Sequence, residues 1–103
     1  MDRWHPVSAE ELDAILAAQI IELTQPQRER FERIKVAPHL VAIHRFGKVE
    51  WVFVVARVGD CVVYYEDVEE GFNVSALSSG GSISAPGHEQ WELGHVLERL
   101  ASA

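Results

Sequence analysis

The stretch from residue 39 to residue 68 constrains the fold most, because apolar and polar residues alternate there around two glycine-containing turns. Alternation with a period of two, together with many β-branched residues, indicates strands rather than helices. The turns Gly47-Lys48 and Gly59-Asp60 are short enough to join antiparallel neighbours, which predicts a β-meander. The predicted strands are 39–46, 49–58 and 61–68, followed by shorter ones near 72–77 and 82–85.

Helical patterns flank the strands on both sides. Ser8 and Glu11 form a capping-box pattern ahead of apolar residues spaced by three and four, which predicts a first helix. Pro26 suits the first turn of a second, short helix that extends to about Lys35, and a last helix is predicted over residues 88–101. Because helices and strands are segregated along the chain, we expect the α+β class. The expected architecture is an antiparallel sheet of four to five strands with an N-terminal helix, a short second helix and a C-terminal helix packed on it.

Length and charge restrict the classes of function. The chain has 103 residues, which predicts a single α+β domain spanning 1–103. Its net charge is −7, and residues 66–103 hold seven acids and one base. This balance argues against nucleic-acid binding, which needs clustered bases, and favours a cationic partner. The apolar runs are too short to span a bilayer, no signal-peptide pattern is present, and a single Cys cannot form an internal disulfide, so a cytoplasmic protein is expected.

Two-residue turns predict which side chains share a face of the sheet. They place Arg45 opposite Glu50 and Val58 opposite Cys61. One face is almost uniformly apolar and is expected beneath the helices; it carries Val41, Ile43, Val52, Val54, Ala56, Val58, Cys61, Val63 and Tyr65. The other face carries Leu40, His44, Trp51, Phe53, Val55, Arg57, Val62, Tyr64 and Glu66.

This second, aromatic face is more apolar than a solvated sheet face should be, so something is expected to cover it. The cover could be the protein's own helix, a second copy of the chain, a partner protein or a ligand. Trp, Tyr and Arg are enriched among the residues that dominate interface energetics. The candidate partner-binding residues are therefore Trp51, Phe53, Arg57 and Tyr64, together with the acidic run of Glu66, Asp67, Glu69 and Glu70.

No pattern of a catalytic or metal site stands out. Cys61 is predicted to be buried and structural, because it falls on the apolar face. His88, Glu92 and His95 share one face of the predicted last helix, but their spacing matches no zinc pattern. The sequence therefore favours a non-enzyme and predicts neither a metal nor a cofactor.

The chain has two resemblances. The stretch Tyr64-Tyr65-Glu66-Asp67-Val68-Glu69-Glu70-Gly71-Phe72-Asn73, with the later Gly80-Gly81, Pro86-Gly87 and Gln90-Trp91-Glu92-Leu93, resembles the C-terminal half of small bacterial α/β proteins. In size, acidity and layout the chain is similar to the immunity proteins of bacterial toxin systems. That resemblance implies a cytoplasmic protein that binds and blocks a toxin, often a basic nuclease, and has no catalysis of its own. These proteins share no diagnostic residues, so it assigns no positions.

The sequence predicts a non-enzymatic protein-binding domain. The specific function that we expect is that of an immunity-type inhibitor of a basic bacterial toxin. One alternative is a small-ligand-binding domain or minor enzyme with a pocket lined by Trp51, Arg57, Tyr64 and Glu66. Another is a homodimeric structural or regulatory protein.

Overall fold

The computed structural model describes residues 7–45, 47–66, 70–87 and 91–102. Its elements are α1 (Ala9–Ile21), α2 (Gln25–Ile34), β1 (Lys35–Arg45), β2 (Lys48–Val58), β3 (Cys61–Glu66), β4 (Gly71–Ala76) and α3 (Leu93–Ser102). The four strands form one antiparallel sheet in the order β1-β2-β3-β4. The predicted α+β class and meander are therefore confirmed.

Local capping fixes the two N-terminal helices. The backbone N–H of Glu11 donates to the Ser8 hydroxyl, and the Ser8 N–H donates to the Glu11 carboxylate, which completes the predicted capping box. Thr24 and Gln27 form a second box at the start of α2. Each box provides hydrogen-bond acceptors for backbone N–H groups that have no partner inside the helix. The capping residues therefore fix the position at which each helix begins.

The last helix starts later than predicted. Trp91 is extended, and its carbonyl oxygen accepts the N–H of Phe72 at 2.8 Å, which attaches this residue to the outer edge of β4. The helix begins at Leu93, whose N–H donates to the side-chain oxygen of Gln19 in α1 at 2.5 Å. Both contacts are tertiary, so no local pattern could place this boundary. Residues 88–90 of the predicted helix lie outside the described residues.

The first hairpin has a different register from the predicted one. Arg45 pairs with Lys48 instead of Glu50, so the turn lies one residue earlier than expected. Gly47 has a φ of +70° in this turn, a conformation that glycine adopts without steric cost. The pairing differs from the predicted one by two residues along β2, and a shift of two leaves the side chains of β1 and β2 divided between the two faces in the predicted groups.

A β-bulge in β2 changes the second hairpin. Next to the turn, Val58 pairs with Cys61 as predicted. Between Ala56 and Val54 the register shifts by one residue. Phe53 therefore pairs with Tyr65 instead of Glu66. A shift of one residue moves side chains to opposite faces, so the predicted faces are wrong across this bulge.

The bulge divides the apolar residues between two cores. The first core lies between the helices and the sheet and includes Leu12, Leu16, Leu23, Phe31, Val55, Ala56, Val63, Tyr65, Phe72, Leu93, Val96 and Leu97. The second core contains Val41, Ile43, Val52, Val54, Val62, Tyr64 and Ile83. Ala56, Val63 and Tyr65 were correctly predicted beneath the helices. The prediction was wrong for the residues of β1 and for Val52 and Val54, which lie in the second core.

Two residues expected in the helix-covered core are exposed. Val58 and Cys61 flank the Gly59 turn at the end of their strands, and both lie outside the two cores. The prediction that Cys61 is a buried structural residue is therefore wrong. The alternation of apolar and polar residues predicts on which face of the sheet a side chain lies. It does not predict how far along a strand the helices cover that face.

The chain after β4 covers the second core. We call residues 77–87 the strap. The N–H of Ile83 donates to the carbonyl of Ala42, and its carbonyl accepts the N–H of His44, both at 2.8 Å. Ile83 also bridges Leu77, so the strap connects the end of β4 with the free edge of β1. Of the expected strand at 82–85, only Ile83 forms bridges to its neighbours. Through this residue the strap covers the second core.

Candidate functional site

The predicted aromatic face is not a single surface. Trp51 is 56% exposed on the outer face of the β1–β2 hairpin, which is the face on the same side of the sheet as the first core. Phe53 lies on the same face but is half-buried against that core. Tyr64 and Glu66 are fully buried, on the opposite side of the sheet from Trp51. Because of the bulge, Tyr64 and Glu66 therefore have no exposed surface to offer a partner, which corrects their predicted placement.

Arg57 lies far from the other candidates. It is exposed near the Gly59 turn, where its Nε donates to the Gly59 carbonyl at 2.6 Å. Its guanidinium also lies 3.7 Å from the carboxylate of Asp60. The structure consequently does not bring Trp51, Arg57, Tyr64 and Glu66 together, and the ligand pocket expected from these four residues does not form.

Among the described residues, exposed large apolar side chains of the sheet cluster on the outer face of the β1–β2 hairpin, and Val58 lies apart from them near the Gly59 turn. Leu40, Val49 and Trp51 are 53%, 55% and 56% exposed, and we call these three residues the hairpin surface. They share one face because Ala42 pairs with Trp51 and His44 with Val49. Leu40 and Val49 were not among the predicted binding residues, although the same alternation that placed Trp51 on this face also places them there.

The exposure of the hairpin surface follows from strand length. Within the described residues, β3 pairs with β2 from Phe53 to Val58, so Val49 and Trp51 lie beyond the end of β3. Phe53 packs against the first core, but Val49 and Trp51 belong to neither core. The hairpin therefore extends past both the neighbouring strand and the helical layer.

An acidic turn lies at the same end of the sheet. In an antiparallel meander, the β1–β2 and β3–β4 turns are at one end. Glu66 pairs with Gly71 at the base of the second turn, and Glu70 is exposed there with a φ of +55°. Asp67 and Glu69 lie outside the described residues.

Arg45 connects the two hairpins. Its Nε donates to Glu50 at 2.5 Å, and its Nη1 forms an ion pair with Glu66. The Arg45 side chain is only 7% exposed and that of Glu66 is fully buried. Burial opposes the charged form of Arg45, but hydrogen bonds and charges from Glu66 and Glu50 outweigh it and raise the Arg45 pKa. Arg45 therefore neutralises Glu66, whereas Arg57 contacts Gly59 and Asp60.

A second polar group holds the strap. The Tyr64 hydroxyl accepts the Gly87 N–H at 2.8 Å and lies 3.0 Å from the Ser75 hydroxyl. Ser75 in turn donates to the Ala85 carbonyl at 3.0 Å. Burial raises the pKa of Tyr64, so its hydroxyl stays neutral and available for these bonds. Tyr64 is thus a structural residue of the second core.

The described residues offer few groups for metal or nucleophilic chemistry. No three His, Cys, Asp or Glu side chains among them lie close enough to hold a metal ion. His88, one of the three residues considered for a metal, lies outside the described residues. A cavity of about 280 Å³ separates the helices and is lined by Gln19, Glu22, Leu23, Gln27, Glu92, Gly94, His95 and Glu98. The sequence did not predict this cavity, because its walls combine residues 19–27 of the first two helices with residues 92–98 near the other end of the chain.

Comparison with protein-family models, curated proteins and solved structures finds no match to this chain. The arrangement of its helices and its antiparallel sheet defines an α+β protein. None of the helices in the described part combines the length and apolarity that crossing a bilayer requires.

Proposed function

We propose that this chain is a non-enzymatic protein-binding domain that contacts its partner through the hairpin surface. The observation that carries the proposal is the exposure of Leu40, Val49 and Trp51 side by side on one face. Contiguous exposed apolar groups are typical of interaction sites, and Trp is the residue most enriched among those that dominate binding energy.

The rest of the sheet supports this choice by contrast. The helices cover part of the sheet face that carries Trp51, and the strap covers the opposite face of the sheet. Tyr64, Ser75 and Glu66 are engaged in internal contacts. These three buried side chains thus have partners inside the protein, while three large apolar side chains remain exposed on a protruding hairpin.

An immunity-type inhibitor of a bacterial toxin, acting in the cytoplasm, is the specific form of this proposal. Small size, a net charge of −7 and the resemblance in layout support it. Such a protein acts by occupying a surface of the toxin, so it requires a rigid contact face and no catalytic group.

The test is affinity capture from the native host with a matched pair of variants. Val49→Asp and Val58→Asp place the same charge on the same strand, at positions that are 55% and 42% exposed in wild type. We expect a partner that the wild-type protein and Val58→Asp retain and that Val49→Asp loses. Circular dichroism of both variants confirms that they remain folded.

The proposal fails if Val49→Asp retains every partner that the wild-type protein captures. A sedimentation experiment on the purified protein separates the homodimer from a heterologous partner. A stable dimer that Val49→Asp dissociates would assign the hairpin surface to a second copy of the chain and overturn the inhibitor proposal.

A further inference from the structure

We propose that His44 makes docking at the hairpin surface depend on pH, because its imidazole has to be neutral when an apolar and uncharged partner surface covers it. This inference rests on the proposed function and deepens it by naming the regulation of the same site and the chemistry of the partner surface. It follows from the position of His44 in the sheet and from the groups that surround its ring.

His44 lies on the same face of the sheet as the hairpin surface. It pairs with Val49 in β2, and Ala42, two residues earlier, pairs with Trp51. Directly paired residues of an antiparallel sheet have their Cβ atoms about 4.5–5.5 Å apart. The N–H of His44 donates to the Ile83 carbonyl at 2.8 Å, which holds this part of β1 against the strap. A partner that covers Val49 and Trp51 therefore also covers the exposed His44 side chain.

The charged residues next to His44 in the hairpin lie on the other face. Arg45, Lys48 and Glu50 are on the opposite side of the sheet, because successive residues of a strand alternate between its faces. Arg45 forms its ion pairs there, with Glu50 and Glu66. None of these groups is placed to pair with a charged imidazole on the hairpin face.

The strap and the helices supply no countercharge either, within the part of the chain that the structure describes. The strap residues on either side of the bridge to β1 are Ser82 and Ser84, which are uncharged. The helical layer packs against Phe53, but Val49 and Trp51 belong to neither core. Among the described residues the imidazole takes part in no hydrogen bond or ion pair, so only solvent stabilises its charge.

The chemistry of imidazole turns this position into a pH-sensitive one. A histidine side chain typically gains a positive charge as the pH falls from about 8 to about 5. An apolar partner surface removes the water around the ring, and burying a charge without a countercharge is unfavourable. Docking therefore selects the neutral imidazole, and a charged ring must release its proton when the partner binds. The uncharged surroundings are complementary to a partner surface that carries no carboxylate at this place.

Micelles of dodecyl maltoside serve as the probe, since they present an apolar surface without charge. They are titrated into the ¹³C-labelled full chain at about pH 8 and about pH 5.5, on either side of the usual histidine titration. Binding is followed through the methyl resonances of Val49 and the ring resonances of Trp51. We expect binding to be about tenfold weaker at the lower pH, the effect of releasing one proton from a histidine that titrates near pH 6.5.

Two histidine variants assign the effect. His44→Gln keeps a neutral polar side chain and should bind equally at both pH values, within about twofold. The matched control is His39→Gln, because His39 is also exposed on β1 but lies on the opposite face. This control should retain the tenfold loss. The partner captured by the wild-type protein should follow the same pattern, with proton release in calorimetry by the wild type and not by His44→Gln.

The inference is overturned if the wild-type protein and His44→Gln depend on pH equally, or if the micelles leave the hairpin surface unperturbed at both pH values. Tighter binding of the captured partner at the lower pH, lost in His44→Gln, would show a carboxylate opposite the ring and also overturn it. In these cases the proposed function stands if Val49→Asp loses the partner, since that capture is made at a single pH. A dimer that sediments at about pH 8 and dissociates at about pH 5.5 would assign the face to a second copy and overturn both proposals.

Discussion

Tyr64 is the residue on which the strap depends. Its ring fills the second core, and its hydroxyl accepts the Gly87 N–H and lies 3.0 Å from the Ser75 hydroxyl. Gly87 itself approaches the sheet closely, because a Cβ at that position would lie 2.3 Å from Oδ1 of Asn73. The Tyr64 hydroxyl and the absence of a side chain at Gly87 thus allow the strap to pack closely against the sheet over the second core.

The change Tyr64→Phe should destabilise the protein by about 1–3 kcal/mol, since it leaves the part-buried Gly87 N–H without its acceptor. Thermal unfolding should show a decrease in Tm of several degrees. Because burial raises the folded pKa of Tyr64, its contribution is complete below the unfolded pKa of about 10 and declines above it. Between about pH 9 and pH 11, the wild-type protein should therefore lose more unfolding free energy than Tyr64→Phe. Equal losses in the two proteins would show that the Tyr64 hydroxyl is not held neutral by the fold.

Arg45 and Glu66 form the most deeply buried ion pair among the described residues. Arg45→Met removes the guanidinium from a buried carboxylate and should cost about 3–5 kcal/mol in the free energy of unfolding. Combining it with Glu66→Leu removes both charges and should restore most of this loss. Denaturant unfolding of the three proteins provides the comparison. If Arg45→Met is as stable as wild type, the ion pair does not hold the two hairpins together.

At the scale of elements, the β-bulge in β2 decides which residues each core receives. Val54 is fully buried in the second core, whereas Val49 on the same strand is 55% exposed. The strand therefore offers two identical side chains in opposite environments.

Val54→Asp should abolish cooperative thermal unfolding, because it buries a carboxylate in an apolar core. Val49→Asp should remain within about 1 kcal/mol of wild type, since its carboxylate faces solvent. Melting curves of the two variants compare the same substitution directly. A normal melt for Val54→Asp would mean that the second core is not packed as described.

Local chemistry explains which elements the sequence predicts correctly. The capping pair Ser8 and Glu11 lies within four residues, so the start of α1 is encoded where it occurs. The bulge is not encoded in this way, because residues 52–56 are all apolar and alternation does not mark a shift of one residue there. The start of α3 depends on contacts of Trp91 and Leu93 with distant parts of the chain.

The candidate site was predicted in part for the same reason. Trp51 precedes the bulge, so its face could be read from the first hairpin, where a register error of two residues has no effect on the face. Tyr64 and Glu66 follow the bulge and therefore moved to the interior. Burial also depends on the position of the strap, and a single bridge at Ile83 has no distinct sequence pattern.

At the scale of the whole molecule, charge and apolar surface have separate roles in the proposed complex. The carboxylates of the β3–β4 turn should guide encounter with a basic partner, because exposed charges act mainly on association. Neutralising Asp67, Glu69 and Glu70 together should lower the association rate constant and flatten its salt dependence, with little change in Tm. Stopped-flow kinetics at several salt concentrations measures both effects. An unchanged association rate at low salt would exclude the turn from the encounter.

The central claim is that the hairpin surface is the contact face of the protein, and the dissociation rate of the captured partner tests it most directly. Trp51→Ala and Val58→Ala each truncate an exposed apolar residue of β2, 56% and 42% exposed, toward opposite ends of the strand. Surface-plasmon measurements should show that Trp51→Ala accelerates dissociation by more than about tenfold, the effect of losing over ~1.4 kcal/mol. Val58→Ala should leave the rate within about twofold of wild type. Dissociation that is unchanged by Trp51→Ala in the folded protein would contradict the account.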